Sequence, residues 1–322
     1  MRTYMVSIAM CSYNGEKYIA TQLDSILNQT YDNIEIIITD DCSSDDTIKI
    51  IRRYQKNDKR IKLYENDVNL GYLKNFEKAI SLCSGDYIAL ADQDDIWKEY
   101  KIEKFLNNIG ENILIYSDAI IIDKDSKEIG TELIRPHNLL CKGACNKAFL
   151  LYNVVSGNTM MFHKNLIPHI LPIHPNMTYH DSWIAFVAST YSTITYTEEA
   201  MIYYRRYPEQ VTHTIKKKQK NIFSKIKSKT LKQLQNAKIR KQELIAFKSI
   251  QILQEQETIE LIEALIFHFS NYKKIFFNYT LYTFLKKHSH QIFASQPIKK
   301  HKKMARKVSK GLKIHLYSLY LF

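Results

Sequence analysis

The chain has 322 residues, 45% of them hydrophobic and 25% charged, which suits one large globular domain with an appendage, or two domains. Five cysteines without a C-x-x-C pair exclude a disulfide framework and favour a reducing compartment. The net charge of +13 is uneven, because residues 214–322 hold 24 Lys and Arg against 5 Asp and Glu, whereas residues 1–213 hold 22 against 28. The acidic first part would repel nucleic acid, and the basic last part favours a polyanion such as anionic lipid.

Short apolar runs alternate with amphipathic segments through the first hundred residues. Each apolar run ends in polar, turn-forming residues, which is typical of buried strands. Because strands alternate with helices three times, we expect an α/β fold with a mostly parallel sheet covered by helices on both faces. The predicted strands are 5–10, 34–39, 60–65 and 87–91, and the predicted helices are 17–28, 46–56 and 72–84.

The remaining elements follow from weaker patterns. An amphipathic series between Leu244 and Ile266 predicts that the chain is mostly helical from residue 216 to the end, with lysine runs at 216–220 and 299–303. Before it we predict strands at 113–118, 120–123, 157–162 and 196–206, and a helix at 182–190.

Three polar clusters directly follow predicted strands. They are Ser12–Gly15, Asp40–Asp46 and Asp92–Asp95. In open α/β sheets, ligands bind beyond the carboxyl ends of the strands. We therefore expect the three clusters to converge at one edge of the sheet and to form a binding site there.

The most distinctive cluster is Asp92-Gln93-Asp94-Asp95, with three carboxylates in four residues. Like charges this close repel one another unless a cation or solvent offsets them. Carboxylate oxygens suit hard cations such as Mg²⁺ and Mn²⁺, and a metal here would stabilise a departing diphosphate. The alternative is a solvated acidic turn.

Two further acidic positions each allow two interpretations. Asp40 and Asp41 either cap the next helix or accept the N3–H of a uracil or thymine ring, and Tyr13 either packs locally or stacks on that ring. Asp181 either caps the helix that follows it or acts as a general base that takes a proton from an acceptor hydroxyl.

A basic pair, Arg205 and Arg206, and the lysines at 216–218 either bind diphosphate oxygens or form a solvated basic face. The sequence lacks the G-x-x-x-x-G-K-[ST] motif, which excludes a P-loop kinase. It also lacks G-x-G-x-x-G after the first strand, which excludes a dinucleotide-binding fold.

Taken together, these segments resemble the amino-terminal half of family 2 glycosyltransferases. The resemblance is dense over residues 5–105 and looser to about 213, and the D-Q-D-D-I-W form is similar to enzymes that build bacterial surface polysaccharides, including rhamnosyltransferase-like members. It rests on Val6 to Asn14, Leu23 to Tyr31, Ile36 to Asp46, Asn69 to Asn75, and Ser84 to Trp97.

The resemblance implies a GT-A fold and an inverting, metal-dependent sugar transfer. It implies that Asp181 is the catalytic base, with His180 standing where the family usually has Glu. It implies a metal site at Asp92, Asp94 and Asp95, formed with Mg²⁺ or Mn²⁺. The residues expected to bind the nucleotide-sugar are Ser12, Tyr13, Asn14, Asp41, Asp92, Gln93, Asp94 and Arg206, and those expected at the acceptor are Gly157, Asn158, His180 and Trp183.

On this interpretation, residues 1–213 form the catalytic domain, with a nucleotide-sugar half at about 1–118 and an acceptor half at about 119–213. Residues 214–322 form a basic helical region, which either contacts an anionic membrane or packs on the catalytic domain with a solvated exterior. The donor would be a UDP- or dTDP-type sugar and the acceptor a saccharide or lipid-linked saccharide. No signal peptide and no spanning apolar run is visible, so we expect a cytoplasmic protein at the inner face of the cell membrane.

Other classes of protein fit parts of the sequence. A non-catalytic nucleotide or carbohydrate binder on a degenerate GT-A fold would not need the full set of carboxylates. A nucleotidyltransferase also uses acidic metal ligands. A nucleic-acid binder would use the basic tail, but the tail carries no recognised reader motif, and we expect no nucleic-acid partner.

Overall fold

The computed structural model describes residues 3–132, 140–207, 222–293 and 298–311, without the side chains of 131–132 and 222–230. The lysines at 216–218 lie outside the described residues. The chain divides into two compact units, and the domain boundary expected at 213 stays a prediction. The first unit falls within Met1–Ala144, Asn153–Ile173 and Tyr179–His213, and the second within Cys145–Tyr152, His174–Thr178 and Thr214–Phe322.

The strands of the first unit follow the alternation seen in the sequence. They are β1 (Val6–Ser12), β2 (Ile34–Asp40), β3 (Ile61–Glu65), β4 (Tyr87–Ala91), β5 (Ile96–Trp97), β6 (Leu114–Tyr116), β7 (Ala119–Ile122), β8 (Glu128–Glu132), β9 (Met160–His163), β10 (Ile194–Tyr196) and β11 (Ile202–Arg205).

The helices divide between the two units. The first unit contains α1 (Ile19–Leu27), α2 (Thr47–Asn57), α3 (Tyr72–Ser81), α4 (Lys101–Ile109), α6 (Ile167–Ile170) and α7 (His180–Tyr191). The second contains α5 (Asn146–Phe149), α8 (Ile222–Lys248), α9 (Gln256–Ser270), α10 (Tyr279–Lys287), α11 (Ser289–Ile292) and α12 (Ile298–Val308).

The larger sheet of the first unit has the strand order β10-β6-β9-β4-β1-β2-β3. Neighbouring strands from β4 to β3 are parallel, whereas β9 runs antiparallel to both β4 and β6. β1 and β2 are buried over their whole length, which explains why they appear in the sequence as continuous apolar runs. The expected mixed α/β architecture with a mostly parallel central sheet is confirmed.

The sheet order brings the three polar clusters to one edge. β1 lies between β2 and β4 and is parallel to both, so the carboxyl ends of the three strands are adjacent. In this register Ser12 pairs with Asp40 at the last position of β1 and β2. The convergence expected from the strand ends is therefore a property of the fold.

A smaller sheet has the order β5-β11-β7-β8. One expectation fails in this sheet, and one neighbouring helix was not predicted. The single strand predicted over 196–206 is wrong, because the chain leaves the larger sheet after β10 and enters the smaller one at β11. The sequence interpretation also assigned nothing to 101–109, although this segment forms α4 and buries Ile102, Phe105 and Ile109.

The second unit is helical in its described residues, as expected for the carboxyl-terminal region. α8 and α9 pack together, and α9 buries Leu261, Ile262 and Leu265. Lys147 of α5 donates to Glu255, to Glu257 Oε2 at 3.0 Å and to Gln291 Oε1 at 2.8 Å. Within the described parts of the chain, none of the helices combines the length and the apolar character needed to cross a bilayer.

Candidate active site

Hydrogen bonds join the loops that follow β1, β2 and β4. Ser12 Oγ donates to Asp40 Oδ2 at 2.7 Å. Tyr13 N–H donates to Gln93 Oε1 at 2.8 Å, and Gln93 Nε2 donates back to the Tyr13 carbonyl at 2.9 Å. Ser12, Tyr13 and Gln93, which were predicted to bind the nucleotide-sugar, therefore belong to one hydrogen-bonded group. We call Asp92–Asp95 the carboxylate turn, and the Gln93 amide holds the loop after β1 against it.

Tyr13 and Asn14 form the tip of the first loop. The Tyr13 side chain is 49% exposed, which leaves its ring face accessible to a planar group. Asn14 adopts a left-handed conformation with φ of 47°. Its N–H donates to Ser43 Oγ at 2.9 Å, and its Oδ1 accepts from Ser44 N–H at 2.8 Å. These bonds fix the loop that carries the exposed ring.

Asp41 is buried and organises the segment that leads into α3. Its Oδ1 accepts from Asn66 Nδ2 at 2.9 Å and from Leu70 N–H at 2.7 Å, and its Oδ2 accepts from Gly71 N–H at 2.9 Å. Asp41 therefore does not cap α2. Since a carboxylate offers about four lone-pair positions, these three bonds leave room for one more donor.

The carboxylates of Asp92 and Asp94 lie close together at the end of β4. Burial, together with the charges of Asp94 and Asp181, raises the pKa of Asp92 to about 7. Asp94 Oδ2 accepts from Tyr207 Oη at 2.8 Å. Burial and this neighbouring carboxylate raise the pKa of the Tyr207 hydroxyl above its ordinary value. Repulsion between the carboxylates makes this a place where a cation is favoured.

The carboxylate oxygens of Asp92 and Asp94 suit a hard divalent cation that also binds a diphosphate. Among the described residues, no three His, Cys, Asp or Glu side chains are arranged to hold a metal ion by themselves. Mg²⁺ in nucleotide enzymes is commonly held by one or two carboxylates together with substrate phosphate oxygens and water. Asp92 and Asp94 match that protein share of the ligands.

The side chain of Asp95 points into the protein interior, unlike those of Asp92 and Asp94 in the same turn. It is fully buried, and its oxygens accept from Asn158 Nδ2 and from Arg205 N–H, the second at 3.1 Å. The predicted acceptor residue Asn158 is thus bonded to the carboxylate turn. The predicted role of Asp95 as a metal ligand stays a prediction, and its observed contacts are structural.

The two arginines at the end of β11 have different surroundings. Arg205 is buried, its Nε donates to the Asp94 carbonyl at 2.8 Å, and its guanidinium lies 4.4 Å from the centre of the Tyr18 ring. The Arg206 guanidinium lies 5.8 Å from the centre of the Tyr204 ring, and the Arg206 backbone N–H donates to the Ile122 carbonyl at 2.8 Å. Arg205 therefore supports the carboxylate turn, and contact between Arg206 and a diphosphate stays a prediction.

Asp181 lies in the first turn of α7, one residue after the helix begins at His180. The residue at the cap position is Tyr179, so the capping interpretation of Asp181 is wrong. Asp181 Oδ1 accepts from Asn153 Nδ2 at 2.8 Å and from Ser182 N–H at 2.5 Å. Because Asp181 also raises the pKa of Asp92, the fold brings the predicted base to the predicted metal site.

His180 is buried and stacks on Phe76 with ring centroids 4.1 Å apart. Burial lowers its pKa to about 3, so the ring is neutral at physiological pH. A Cβ added to Gly157 would lie 2.5 Å from His180 Nε2, so the predicted acceptor residues Gly157 and His180 are neighbours. Trp183 is also buried, and its Nε1 donates to the Ile170 carbonyl at 2.8 Å, which gives it a packing role.

One residue of the site was missed by the sequence interpretation. Lys101, the first residue of α4, is fully buried beside the carboxylates, and its Nζ donates to the Asn158 carbonyl at 2.8 Å. Burial lowers the pKa of Lys101, while Asp95 and Asp92 act in the opposite direction. The only signal in the sequence is that Lys101 falls on the apolar side of the pattern Ile102, Phe105, Ile109.

Residues 7–170 match the family model described as glycosyl transferase family 2. A Haemophilus influenzae protein named as an uncharacterized glycosyltransferase is 32% identical over 237 residues, which cover 70% of this chain and 73% of that protein. The chain is also 38% identical over 129 residues to an Escherichia coli enzyme named UDP-Glc:alpha-D-GlcNAc-diphosphoundecaprenol beta-1,3-glucosyltransferase WfgD. That match covers 39% of this chain and half of the E. coli enzyme.

Similarity to a solved structure extends over nearly the whole chain. S. aureus TarS, solved in complex with UDP-GlcNAc, superposes with a TM-score of 0.63 over 98% of this chain and 92% of that one, at 15% identity. At this identity the likeness concerns the fold. Together with the family match over half of the sequence and the Haemophilus relative, it leads to one conclusion: the chain belongs to glycosyltransferase family 2 and has its GT-A-like fold.

Proposed function

We propose that this glycosyltransferase moves a sugar from a UDP- or dTDP-type donor onto a saccharide or lipid-linked saccharide, with inversion, in bacterial surface polysaccharide synthesis. The observation that carries the proposal is that Asp181, which is distant in sequence, lies near enough to Asp92 for its charge to raise the pKa of Asp92, beside Asp94. The E. coli relative, named for transfer from UDP-Glc to a diphosphoundecaprenol-linked sugar, supports this substrate class.

The nucleotide would lie against the loops after β1 and β2. The exposed ring of Tyr13 suits stacking on the base, and Asp41 has capacity for the N3–H of a uracil or thymine ring. Ser12, Asn14 and Gln93 hold these loops together, so their contribution is to fix the shape of the base site.

The diphosphate would lie over Asp92 and Asp94, which would hold Mg²⁺ or Mn²⁺ together with its oxygens. When bound, the cation supplies positive charge that stabilises the departing nucleoside diphosphate. The chain's own residues set the geometry. Tyr207 donates to Asp94 and Arg205 donates to the Asp94 carbonyl, so side chain and backbone of the same residue are both oriented.

Asp181 would accept the proton of the acceptor hydroxyl as that oxygen attacks the anomeric carbon. Its Oδ1 is oriented by the Asn153 amide and the Ser182 N–H. One base on the acceptor side and the diphosphate as leaving group on the other suit a single displacement, which inverts the anomeric centre. Gly157, Asn158 and the neutral His180 would shape the acceptor side next to this base.

The helical unit offers a surface suited to anionic lipid, and we include membrane contact in the proposal. Residues 264–322 contain 12 Lys and Arg and no Asp or Glu. α12 buries His301 and Ala305 and exposes Lys299, Lys300, Lys302, Lys303, Arg306 and Lys307. Phe276 is 53% exposed and Tyr279 71% exposed. Basic side chains with exposed aromatic rings nearby are typical of an interfacial membrane contact, and this supports a location at the inner face of the cell membrane.

The segment that carries these aromatic residues is fixed to the end of α12. Asn278 N–H donates to the Ser309 carbonyl at 2.9 Å, and Gly311 N–H donates to the Phe276 carbonyl at 3.2 Å. We define the aromatic-basic face as Phe276, Tyr279, Lys299, Lys300, Lys302 and Lys303. The segment with the aromatic residues is therefore joined by backbone hydrogen bonds to the end of the helix that carries the lysines.

The donor assignment is tested by calorimetry with UDP, dTDP and GDP sugars, with and without Mn²⁺. We expect metal-dependent binding of a UDP or dTDP sugar, weakened at least about tenfold, or 1.4 kcal/mol, in Asp94→Asn. Asp32→Asn, an exposed carboxylate at the opposite end of β2, is the control and should bind as the wild type does. Equal binding with and without metal, or by Asp94→Asn, would count against the metal site.

A further inference from the structure

Lys101 is among the largest fully buried side chains of the described residues, although it carries an ammonium group. A buried ammonium is unfavourable unless it is surrounded by acceptors and opposite charges. Exposed positions are available on the same helix, where Glu103 and Asn108 face solvent. The placement of Lys101 therefore calls for an explanation in terms of what it contacts.

The contacts of Lys101 are unusually specific. Nζ donates to the carbonyl of Asn158 at 2.8 Å and lies 3.3 Å from the centre of the Trp97 ring. The ammonium is also attracted by the carboxylates of Asp95 and Asp92. We call Gly157–Asn158 the acceptor-side turn. Lys101 thus contacts the acceptor-side turn and lies near the carboxylate turn at the same time.

Asn158 is held from two directions by this arrangement. Its carbonyl accepts from Lys101, and its side-chain amide donates to Asp95. The preceding residue, Gly157, lies against His180, which directly precedes Asp181 on α7. A chain of contacts therefore runs from the carboxylate turn through Asn158 and Gly157 to the helix that carries the predicted base.

We propose that Lys101 is a positioning residue that fixes the Gly157–Asn158 turn relative to Asp92 and Asp94. This inference rests on the proposed function, in which Asp92 and Asp94 bind the donor and Asp181 receives the acceptor proton. Without the ammonium, Asn158 loses one of the two side-chain bonds that reach it from Lys101 and Asp95, and the position of the turn relative to the carboxylates is less tightly fixed. A misplacement of about 1 Å can slow a reaction by on the order of 10²-fold.

A positioning role for Lys101 predicts that loss of its ammonium lowers turnover much more than nucleotide affinity. Lys101 contacts the acceptor-side turn, whereas the base-binding loops after β1 and β2 are held by Gln93, Ser12 and Asp41. Nucleotide affinity should therefore survive the loss of the ammonium, and turnover should not.

The test compares Lys101→Met with Lys104→Met. Met keeps the length and apolar contacts of the lysine stem. Lys104 is a partly exposed lysine on the same helix, and its Nζ lies 3.8 Å from Glu199 Oε2. The preferred donor is first identified with wild-type protein from a set of UDP, dTDP and GDP sugars with Mn²⁺. Affinity for the matching nucleoside diphosphate is then measured by calorimetry, and turnover as its release from the donor with water as acceptor.

We expect Lys101→Met to bind the nucleotide within about 3-fold of the wild type and to turn over on the order of 100-fold more slowly. Lys104→Met should match the wild type in both. Unchanged turnover, or an affinity loss as large as the turnover loss, would overturn the positioning role. A wild type that binds only GDP sugars would contradict the proposed donor class and leave this comparison valid.

A second measurement separates positioning from a general loss of folding. Trp97 and Trp183 are the two tryptophans of the chain, so Trp183→Phe leaves Trp97 as the sole indole emitter. Adding Lys101→Met should change the Trp97 emission while the thermal unfolding transition stays cooperative. If Lys101→Met does not fold, Lys101→Gln, which keeps an N–H donor without the charge, is measured in the same way and should lose turnover more than nucleotide affinity. Unchanged Trp97 emission would contradict the contact.

Discussion

At the residue scale, Gly157 and His180 are in steric contact and share no hydrogen bond. Among the described residues neither ring nitrogen of His180 has a hydrogen-bond partner, and the ring is held by stacking on Phe76. The position where Gly157 would carry a Cβ lies 2.5 Å from His180 Nε2. A glycine is required here because the imidazole occupies the space of a side chain.

This contact predicts a compensating pair of substitutions. Gly157→Ala forces the His180 ring away from Phe76, and overpacking of this kind typically costs about 1–3 kcal/mol of folding free energy. Combining it with His180→Ala removes the clash, so the double variant should be less destabilised than the sum of the two single variants. Urea unfolding of the four proteins measures this coupling, and strict additivity would show that the two side-chain positions do not interact.

The individual site residues differ in how far the sequence could predict them. Asp92 and Asp94 were recognisable because three carboxylates in four residues after a buried strand repel one another, and Asp181 because its position matches a family pattern. Asp95 belongs to the same short run, but its orientation into the interior depends on Asn158 and Arg205, which are distant in sequence. Lys101 was missed because a lysine in an amphipathic helix is normally exposed, and only the packed structure reveals the carboxylates that surround it.

At the scale of elements, Glu35 connects the central strands at the end of the sheet opposite the site. This carboxylate on β2 accepts from Ser7 Oγ of β1 at 2.6 Å, from Ser84 N–H at 2.8 Å and from Lys62 Nζ of β3 at 2.7 Å. Burial favours its neutral form, but the bonds from Lys62, Ser7 and Ser84 outweigh burial and lower the pKa of Glu35 to about 2.

The lowered pKa of Glu35 predicts a pH-dependent contribution to stability. Its pKa in the unfolded chain is about 4.5, so its stabilisation is fully present above that pH and is lost as the pH falls towards 2. Glu35→Gln should destabilise the protein by about 1.5–3 kcal/mol at pH 7, the range for hydrogen bonds to charged groups.

Urea unfolding of wild type and Glu35→Gln at pH 7 and pH 3 measures this effect. The difference between the two proteins should shrink at the lower pH. Glu65→Gln is the control, because the Glu65–Arg52 pair is exposed and such pairs contribute little. A difference that is the same at both pH values would show that the charge of Glu35 is not what stabilises the strands.

The elements that sequence patterns predicted best are the fully buried strands. β1, β2 and β4 lie in the middle of the sheet, where both faces are covered and the apolar runs are uninterrupted. The smaller sheet was harder, because β5 has two residues and β11 is buried only at its two end positions, one of which is an arginine. The single strand predicted at 196–206 spanned the end of β10, the polar connection at 197–201 and the whole of β11.

At the scale of the whole molecule, charge is segregated along the chain. The first 213 residues are net acidic and the remainder strongly basic, and this was readable from the sequence. The aromatic-basic face was not, because it depends on the backbone bonds that fix the segment around Phe276 to the end of α12. The sequence therefore indicates the charge of the proposed anionic partner, and the structure of the helical unit indicates which residues would contact it.

The aromatic-basic face predicts binding to anionic vesicles. We expect co-sedimentation with vesicles that contain phosphatidylglycerol, weaker binding to neutral vesicles, and a decrease with added salt. Each lysine near such a surface contributes roughly 1 kcal/mol. Replacing Lys299, Lys300, Lys302 and Lys303 by Gln should therefore weaken binding by on the order of 10²–10³-fold. Phe276→Ser with Tyr279→Ser should weaken it at any salt concentration.

A charge-matched control tests whether the face or only the net charge matters. Lys17, Lys49, Lys56 and Lys59 are exposed lysines of the first unit, and changing all four to Gln removes the same charge. This variant should keep most of the vesicle binding. Equal losses for the two sets of substitutions would mean that binding follows net charge alone, and no binding by the wild type would favour a solvated basic exterior.

The most direct test of the central claim is the turnover of Asp181→Asn measured beside its affinity for the donor nucleotide. If Asp181 is the base of a sugar transfer from a donor held at Asp92 and Asp94, the variant should bind the nucleoside diphosphate with Mn²⁺ within about 3-fold of the wild type. Its turnover should fall by about 10²–10⁴-fold, the usual contribution of general base catalysis. Turnover close to that of the wild type would contradict the assignment of Asp181 and, with it, the proposed arrangement of donor and acceptor in this site.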